Sequence, residues 1–182
     1  MKRLNHFFFE KFELKFFLDL ESFLGGSSSN RLNRIKGFLL GFRKGSVVFD
    51  IEKSLTTYLK VLRLVTACKE SSSQILFVGC PPQIESAVQK KLNNSKHIFI
   101  SESSWVLGSL TNSSQSELFP NLIITFNLNR TFPSRECFKK EIPLVSFIDD
   151  ACDFSFIDYP IFINLKSDGA SNMYYNLINQ SI

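Results

Sequence analysis

The chain has few of the residues that build metal centres and disulfide frameworks. It contains only two histidines, His6 and His97, and four cysteines among its 182 residues. The cysteines show no C-x-x-C spacing and have no histidine close to them in the sequence. This pattern disfavours a zinc site and a disulfide framework, and it predicts reduced, mostly buried thiols and no metal centre.

Long apolar runs are also missing. No stretch reaches the roughly 18 consecutive apolar residues that a membrane span needs. The most apolar region, residues 7–24, is interrupted by the charged residues Glu10, Lys11, Glu13, Lys15 and Asp19. These charges interrupt the run, so we expect no membrane span. Secretory signals and transit peptides contain few acids, so we also expect neither kind of leader in this region. Two alternatives stay open: the protein is made in the compartment where it works, or a presequence has already been removed.

Motifs for phosphate binding and catalysis are weak throughout the chain. The best phosphate-loop candidate, residues 78–83, has the single glycine Gly79 and two prolines, whereas a dinucleotide fingerprint has three glycines. The acids at Asp149, Asp150 and Asp153 are better explained by a helix cap or a solvated turn. We therefore expect no catalytic residue, no cofactor and no small-molecule substrate.

The composition itself is that of a globular protein, with 44% hydrophobic and 21% charged residues, and it suits a single domain over residues 1–182. Its 20 phenylalanines, with plentiful Ile, Asn, Lys and Ser, are typical of an AT-rich genome such as that of many organelles. Residues 1–53 hold ten basic and six acidic side chains, whereas residues 141–182 hold one and six. This asymmetry favours a face that meets a polyanion, and an ordinary basic surface is the alternative.

The best local signal for RNA lies in residues 31–45. Five basic residues occur there without an acid, and phenylalanines and three glycines are interleaved with them. Glycine lets the backbone approach a phosphate closely, and arginine and lysine neutralise it. The alternative is a solvated basic loop. The candidate RNA-binding residues are Arg31, Arg34, Lys36, Arg43 and Lys44.

Hydrophobic periodicity predicts the fold class. An amphipathic helix is expected over residues 6–24, docked on the core and ended by Gly25-Gly26, and a helix on a membrane surface is the alternative. Residues 1–45 would then comprise this helix and the basic segment, and residues 46–182 an α/β core with an acidic end. In the core, helices are predicted after Asp50, after Pro82, over 133–140 and around 172–179, and an extended piece over 157–161. Continuous apolar strands between helices predict a doubly wound parallel sheet of about five strands with helices on both faces; the predicted strands are 47–51, 75–78, 98–100, 122–126 and 144–148.

The single tryptophan opens a run, residues 105–112, that resembles the Trp-x-x-Gly-x-Leu-Thr-Asn signature of the universal small-subunit ribosomal protein called S-two. Residues 17–26, 50–54 and 75–80 resemble the family's earlier blocks. Residues 135–137, 142–143 and 157–161 resemble its closing blocks, so the resemblance covers nearly the whole chain in the correct order. Matched signature or packing positions include Gly25, Asp50, Gly79, Trp105, Gly108, Thr111, Asn112, Asp149, Tyr159 and Pro160.

The resemblance implies a flavodoxin-like sheet and a structural, non-catalytic role, bound to small-subunit rRNA and to neighbouring small-subunit ribosomal proteins. Within that role we expect Trp105 to be a packing anchor and Thr111 and Asn112 to shape the turn; direct contact of this loop with RNA is the alternative. The alternative is a small flavodoxin-like nucleotide- or ligand-binding enzyme domain that uses the strand ends near Gly79 and Asp149.

The departures from the family pattern indicate a shortened branch. Gly26, Ser104, Leu107 and Phe162 stand where the family has His, Arg, Gly and Pro. Bacterial members insert a long helical hairpin after the Leu-Thr-Asn, but residues 113–121 are too few for a pair of helices. Together with the phenylalanine-rich composition, this predicts an organellar protein of the mitochondrial matrix and its ribosome, with the plastid as second choice.

Overall fold

A computed structural model describes residues 22–27, 36–112, 120–127, 134–149 and 155–182. The predicted helix over 6–24 lies outside the described residues up to position 21, as do Arg31, Arg34, Asp150 and Asp153. In the described residues, the strands are β1 (Leu24–Ser27), β2 (Leu39–Arg43), β3 (Ser46–Phe49), β4 (Ile75–Val78), β5 (Ile98–Ile100), β6 (Leu122–Phe126), β7 (Leu144–Ile148) and β8 (Tyr159–Phe162). The helices are α1 (Ile51–Glu70), α2 (Glu85–Leu92), α3 (Ser134–Lys139) and α4 (Asp168–Ser181).

The main sheet has five parallel strands in the order β5-β4-β6-β7-β8. Counted along the chain within this sheet, the order is 2-1-3-4-5, which is that of a flavodoxin-like doubly wound fold. Every residue of β4, β6 and β7 is buried, as continuous apolar strands covered on both faces require. The predicted fold class is therefore confirmed.

One face of the sheet is covered by α1, α2 and α4. The core on this side joins Phe77 and Phe147 of the strands to Tyr58 of α1 and Tyr174 of α4. The Tyr58 hydroxyl donates a hydrogen bond of 3.2 Å to the carbonyl of Met173, which ties α1 to α4. Helix α1 begins where predicted, because the Asp50 side chain accepts a hydrogen bond from the backbone N–H of Lys53.

The opposite face is covered mainly by loops and by the short helix α3. Cys137 of α3 and Leu110 pack there against Leu76, Val78 and other buried strand side chains. Trp105 lies half-buried at the margin of the same cluster, as expected of a packing anchor. The crossover between β5 and β6 thus covers this face without a regular α-helix in its described part, residues 101–112.

A separate antiparallel sheet, with the order β1-β3-β2, corrects one of the predictions. The sequence predicts residues 47–51 to be a strand of the parallel sheet, but β3 pairs with β1 and β2 instead, and β8 is the fifth parallel strand. In β3, Val47 and Phe49 are buried while Ser46 and Val48 are half-exposed. This alternation is that of a strand with one covered face.

The glycine pair predicted to end the N-terminal helix lies instead within β1, which is a second correction. Gly25 is required there by packing, since a Cβ on this residue would lie 2.9 Å from Cζ of Phe49. The small sheet docks on the main one through a cluster in which Phe49 meets Ile148 and Phe162. The predicted division of the chain after Gly45 falls inside the turn between β2 and β3.

Candidate nucleic-acid interface

The described part of the basic segment forms a hairpin with a very short turn. Strands β2 and β3 pair from Leu39↔Phe49 to Arg43↔Ser46, so only Lys44 and Gly45 connect them. Both turn residues have positive φ, 51° and 81°, which is the requirement of a type I′ hairpin turn. The tip of the hairpin, residues 42–45, is therefore held by a tight turn and does not belong to a long loop.

The structure places three of the five candidate RNA-binding side chains on this hairpin. Lys36 lies in a 3-10 turn (Lys36–Phe38) just before β2, Arg43 ends β2, and Lys44 is in the tip. All three are exposed. Their role in RNA binding stays a prediction.

The base of the hairpin includes an acid paired with a lysine, whereas its tip has no acid. The Lys53 Nζ lies 3.1 Å from a carboxylate oxygen of Asp50 and donates a 2.6 Å hydrogen bond to the carbonyl of Gly37. Burial alone would raise the pKa of Asp50, but the hydrogen bonds and charge of Lys53 outweigh it and lower that pKa. Residues 36–49 contain no acid and three basic residues, Lys36, Arg43 and Lys44, and two of these three lie at the tip.

The two aromatic residues of the segment have different environments. The Phe38 ring stacks on Phe162, with ring centroids 4.5 Å apart, and joins the cluster that docks the small sheet. Phe42, opposite Val47 in the register, has 59% of its surface exposed. Phe38 is thus a packing residue, and Phe42 is available to a partner.

Glu136 holds the tryptophan signature in place. One carboxylate oxygen accepts a 2.8 Å hydrogen bond from the N–H of Gly108, and the other accepts a 3.2 Å bond from the N–H of Leu110. Gly108 has a φ of 91°, which a residue with a side chain adopts only with strain. The carbonyl of Gly108 also accepts bonds from the N–H groups of Thr111 and Asn112, so these two shape the turn as expected.

Glu136 lies in one of the blocks that resemble the family, but its sequence context predicts no role for it. A glutamate beside an apolar residue in a short helix is an ordinary pattern on a helix surface. Its partners are backbone N–H groups 26 and 28 residues away, and such partners leave no signal in the side-chain pattern. Only the fold brings the two blocks together.

Ligands of this fold usually bind at the carboxyl ends of the parallel strands, and at the end of β4 the polar groups of Gly79 are bonded within the protein. The Gly79 N–H donates to the carbonyl of Ile100 at 2.9 Å, and the Gly79 carbonyl accepts a 2.7 Å bond from the hydroxyl of Tyr174. Pro81 and Pro82 follow and have no N–H to offer. Gly79, Pro81 and Pro82 therefore supply none of the N–H groups that cradle a phosphate in a glycine-rich loop.

Two titratable side chains that line this strand end, Cys80 and Tyr174, have raised pKa values. Burial raises the pKa of the Cys80 thiol to about 12, and the nearby charge of Glu85 adds to the rise. Burial likewise raises the pKa of Tyr174 well above its ordinary value. In the described residues, no three His, Cys, Asp or Glu side chains are grouped so that they could hold a metal ion. Among these same residues, no helix is long and apolar enough to cross a membrane.

Three further signature positions, Asp149, Tyr159 and Pro160, lie on or next to the last two strands of the main sheet, β7 and β8. Asp149 is half-buried directly after β7. Tyr159 and Pro160 are the first residues of β8, which is an edge strand and so tolerates the missing N–H of a proline. The neighbouring Asp158 accepts a 2.9 Å hydrogen bond from the N–H of Leu144 and so helps to align β8 with β7.

Comparison with known proteins agrees with this arrangement. The model of the family described as Ribosomal protein S2 matches residues 17–118 and 113–182, which is nearly the whole chain. The chain belongs to the ribosomal protein S2 family. This family is structural and non-enzymatic.

Three bacterial relatives, each named small ribosomal subunit protein uS2, show how far the similarity extends. The protein of Chloroflexus aurantiacus is 23% identical over 185 residues, covering 75% of this chain and 77% of the relative. That of Koribacter versatilis is 24% identical over 185 residues, covering 75% and 61%. That of Solibacter usitatus is 27% identical over 88 residues, covering 48% and 29%.

The alignments also indicate that this member of the S2 family is short. The Chloroflexus match spans 185 positions but includes 75% of the 182-residue chain, or about 137 residues, which leaves about 48 positions without a counterpart here. The family-model match divides into two at residues 113–118. This is the passage in which the sequence predicts that the helical hairpin is missing.

Proposed function

We propose that this protein is a structural constituent of the small subunit of a mitochondrial ribosome. In this role it binds small-subunit rRNA through the basic hairpin and contacts neighbouring ribosomal proteins. The observation that carries the proposal is the pairing of a ribosomal S2 fold with an exposed hairpin tip whose charges are all positive. A polyanion is the natural partner of such a tip, because each phosphate neutralised by lysine or arginine releases counterions.

Two further features support the organellar assignment. The 20 phenylalanines are typical of an AT-rich genome, and the short passage at residues 113–121 distinguishes the chain from bacterial S2 proteins with a long hairpin. A plastid ribosome is the second choice within the same function.

The first experiment locates the protein in the cell. Extracts of purified mitochondria and, where present, plastids are separated on sucrose gradients and probed with an antibody to this chain. We expect the protein to sediment with the mitochondrial small subunit and to leave it at high salt. Sedimentation only as free protein in both extracts would refute the ribosomal role, and sedimentation with plastid subunits would move the proposal to that organelle.

The second experiment tests the candidate phosphate contacts. All five basic residues, Arg31, Arg34, Lys36, Arg43 and Lys44, are replaced by alanine, and the affinity for small-subunit rRNA is measured over a series of salt concentrations. Each lost contact should reduce the slope of log affinity against log salt by roughly 0.7–0.9. An unchanged slope would refute the assignment.

A matched pair of variants separates local contacts from net charge. One variant carries alanine at Lys36, Arg43 and Lys44, and the other carries alanine at the exposed lysines Lys139, Lys140 and Lys166. Both lose three positive charges. We expect the slope to fall in the hairpin variant and to change much less in the control, and equal falls would mean that the hairpin has no special role.

A further inference from the structure

Phe42 differs from every other phenylalanine that the structure describes. In residues 22–27, 36–112, 120–127, 134–149 and 155–182, the exposed phenylalanines are Phe42, Phe138 and Phe156. The rings of Phe138 and Phe156 lie 5.5 Å apart and so contact each other, and the guanidinium of Arg135 lies over Phe156. Within these ranges the Phe42 ring has no such aromatic or cationic contact, and 59% of the residue is exposed.

The hairpin carries this ring next to two cationic residues in the chain, close to its turn. Phe42 is opposite Val47 and Arg43 is opposite Ser46, and the two-residue turn follows at once. Leu39 is opposite Phe49 and Gly41 is opposite Val48, so β2 has one extra residue, Leu40, between them. This bulge sets the register of the residues that follow. Three consecutive residues thus carry the ring and the two cationic groups. Phe42 and Arg43 are the last two residues of β2, and Lys44 is the first residue of the turn.

The charge around the ring selects the kind of partner. The hairpin residues 36–49 include basic side chains and no acid, and Asp50 at its base is already paired with Lys53 at 3.1 Å. An apolar protein surface would gain nothing from these cations, whereas a nucleic acid offers phosphates to them and a base to the ring. Charge complementarity thus favours RNA as the occupant.

We propose that Phe42 is a stacking platform for an unpaired base of the rRNA, while Arg43 and Lys44 contact the flanking phosphates. The proposal rests on the rRNA binding proposed above and adds a class of target, namely a loop, bulge or single strand. In an A-form duplex the bases are stacked on one another, so a side-chain ring reaches a base face only where the base is unpaired. Stacking on an aromatic ring tolerates any base sequence, so the hairpin needs no hydrogen-bond readout.

The test uses the full chain and three labelled probes of equal length: oligoadenylate, an abasic ribose-phosphate oligomer and an RNA duplex. We expect Phe42→Leu to weaken binding of oligoadenylate roughly tenfold, the loss of one stacked base, with no change in the salt slope. Binding of the abasic oligomer and of the duplex should not change, and Phe42→Tyr should restore the affinity for oligoadenylate.

Two matched controls separate base stacking from general apolar contact and from a loss of packing. Leu40→Ala changes another exposed apolar residue of the same strand, 65% exposed but without a π face, and should leave all three affinities unchanged. Phe38→Leu alters the packed ring instead and should lower thermal stability without lowering affinity for oligoadenylate. Because Phe42 is exposed, its variants should melt at the wild-type temperature.

Several results would overturn the stacking proposal. These are an unchanged affinity in Phe42→Leu, an equal loss on the abasic oligomer, or an equal loss in Leu40→Ala. A Phe42→Leu variant that binds RNA normally but no longer sediments with small subunits would identify a protein partner at this ring. If the wild-type chain sediments with small subunits while Phe42→Leu shows no loss, the stacking role fails and the ribosomal role stands.

Discussion

Two turns with a glycine of positive φ have opposite surroundings in this molecule. At Gly79, with a φ of 67°, an added Cβ would lie 3.0 Å from the carbonyl oxygen of Phe126, and both backbone polar groups are bonded within the protein. At Gly45, with a φ of 81°, an added Cβ would meet nothing within 4 Å. The turn after β4, at the edge where ligands of this fold usually bind, is thus closed by the protein's own groups, whereas the turn of the basic hairpin is open to a partner. Substitutions at the first turn should have the larger effect on stability, and substitutions at the second should also change binding.

The largest effect is expected from Tyr174→Ala. This side chain is fully buried against the rings of Phe77, Phe126 and Phe147, and its hydroxyl binds the carbonyl of Gly79. Removing it leaves a cavity and an unsatisfied carbonyl, so we expect the free energy of unfolding to fall by about 3–5 kcal/mol. Urea denaturation followed by circular dichroism measures the change.

The neighbouring tyrosine supplies the control for this prediction. Tyr175 is only half-buried, and the Nζ of Lys91 lies 5.3 Å from the centre of its ring. Tyr175→Ala should therefore lower the free energy of unfolding much less than Tyr174→Ala. If both substitutions lowered the free energy of unfolding equally, the contacts of Tyr174 with Gly79 and the strand residues would not be a special source of stability.

A pair of glycine substitutions compares the two turns directly. In either turn, alanine must adopt a left-handed conformation, which costs about 1–2 kcal/mol. Gly79→Ala should cost more than Gly45→Ala, because its Cβ also meets a backbone carbonyl at 3.0 Å that a side-chain rotation cannot relieve. Thermal unfolding of the two variants measures the difference, and a larger loss at Gly45 would contradict the comparison.

The sequence predicts the buried parallel sheet better than the exposed hairpin. The runs 75–78, 122–126 and 144–148 are continuously apolar, and they are the fully buried central strands of the sheet. The run 47–51 suggests the same interpretation, although Ser46, Val48 and Asp50 alternate with Val47 and Phe49. That alternation favours a strand covered on one face and contradicts the placement in the parallel sheet.

Contacts between distant segments account for the other errors. The two glycines at 25 and 26 resemble the end of a helix because glycine is the commonest helix stop. Their place in a strand depends on the pairing of β1 with β3, more than twenty residues further on, where Gly25 also leaves room for the ring of Phe49. The contacts of Glu136 with Gly108 and Leu110, and of Tyr174 with Gly79, are likewise products of the folded chain. Composition is enough to recognise the basic segment, but its hairpin form and the different environments of Phe42 and Phe38 are known only from the folded chain.

A pH series should separate the buried polar contacts from the hairpin charges. His97 Nδ1 accepts a hydrogen bond from the Ile75 N–H at 3.2 Å, so Nε2 carries the proton and donates to the Ser181 carbonyl at 2.9 Å. Burial lowers the pKa of His97 below its ordinary value of 6.5; the bond to Ser181 opposes this shift, and the charge of Lys96 adds to it. The neutral ring is therefore the form that the folded state favours.

The sign of the pH dependence follows from that lowered pKa. Above about pH 6.5 the ring is neutral in both states and stability is complete, and below it the unfolded chain binds the proton more readily. We expect the free energy of unfolding to fall as pH drops below 6.5 and through the folded pKa, by about 1.4 kcal/mol for each unit that separates the two pKa values. His97→Gln should lose this dependence between pH 5 and 7, and a fall that is unchanged in that variant would contradict the assignment.

The smallest change in stability, and the clearest separation from binding, is expected from Lys44→Asn. Lys44 occupies a position with a φ of 51°, where asparagine before glycine is the preferred residue of a type I′ turn. The substitution should therefore raise the free energy of unfolding by up to about 0.5 kcal/mol. Since it also removes a cation from the tip, it should lower the salt slope of rRNA binding by roughly 0.7–0.9. Lys166→Asn, at an exposed turn residue outside the hairpin, should change neither quantity to this extent. A more stable protein that binds RNA less well would mean that Lys44 is kept at this turn for its charge, and unchanged binding would remove Lys44 from the proposed interface.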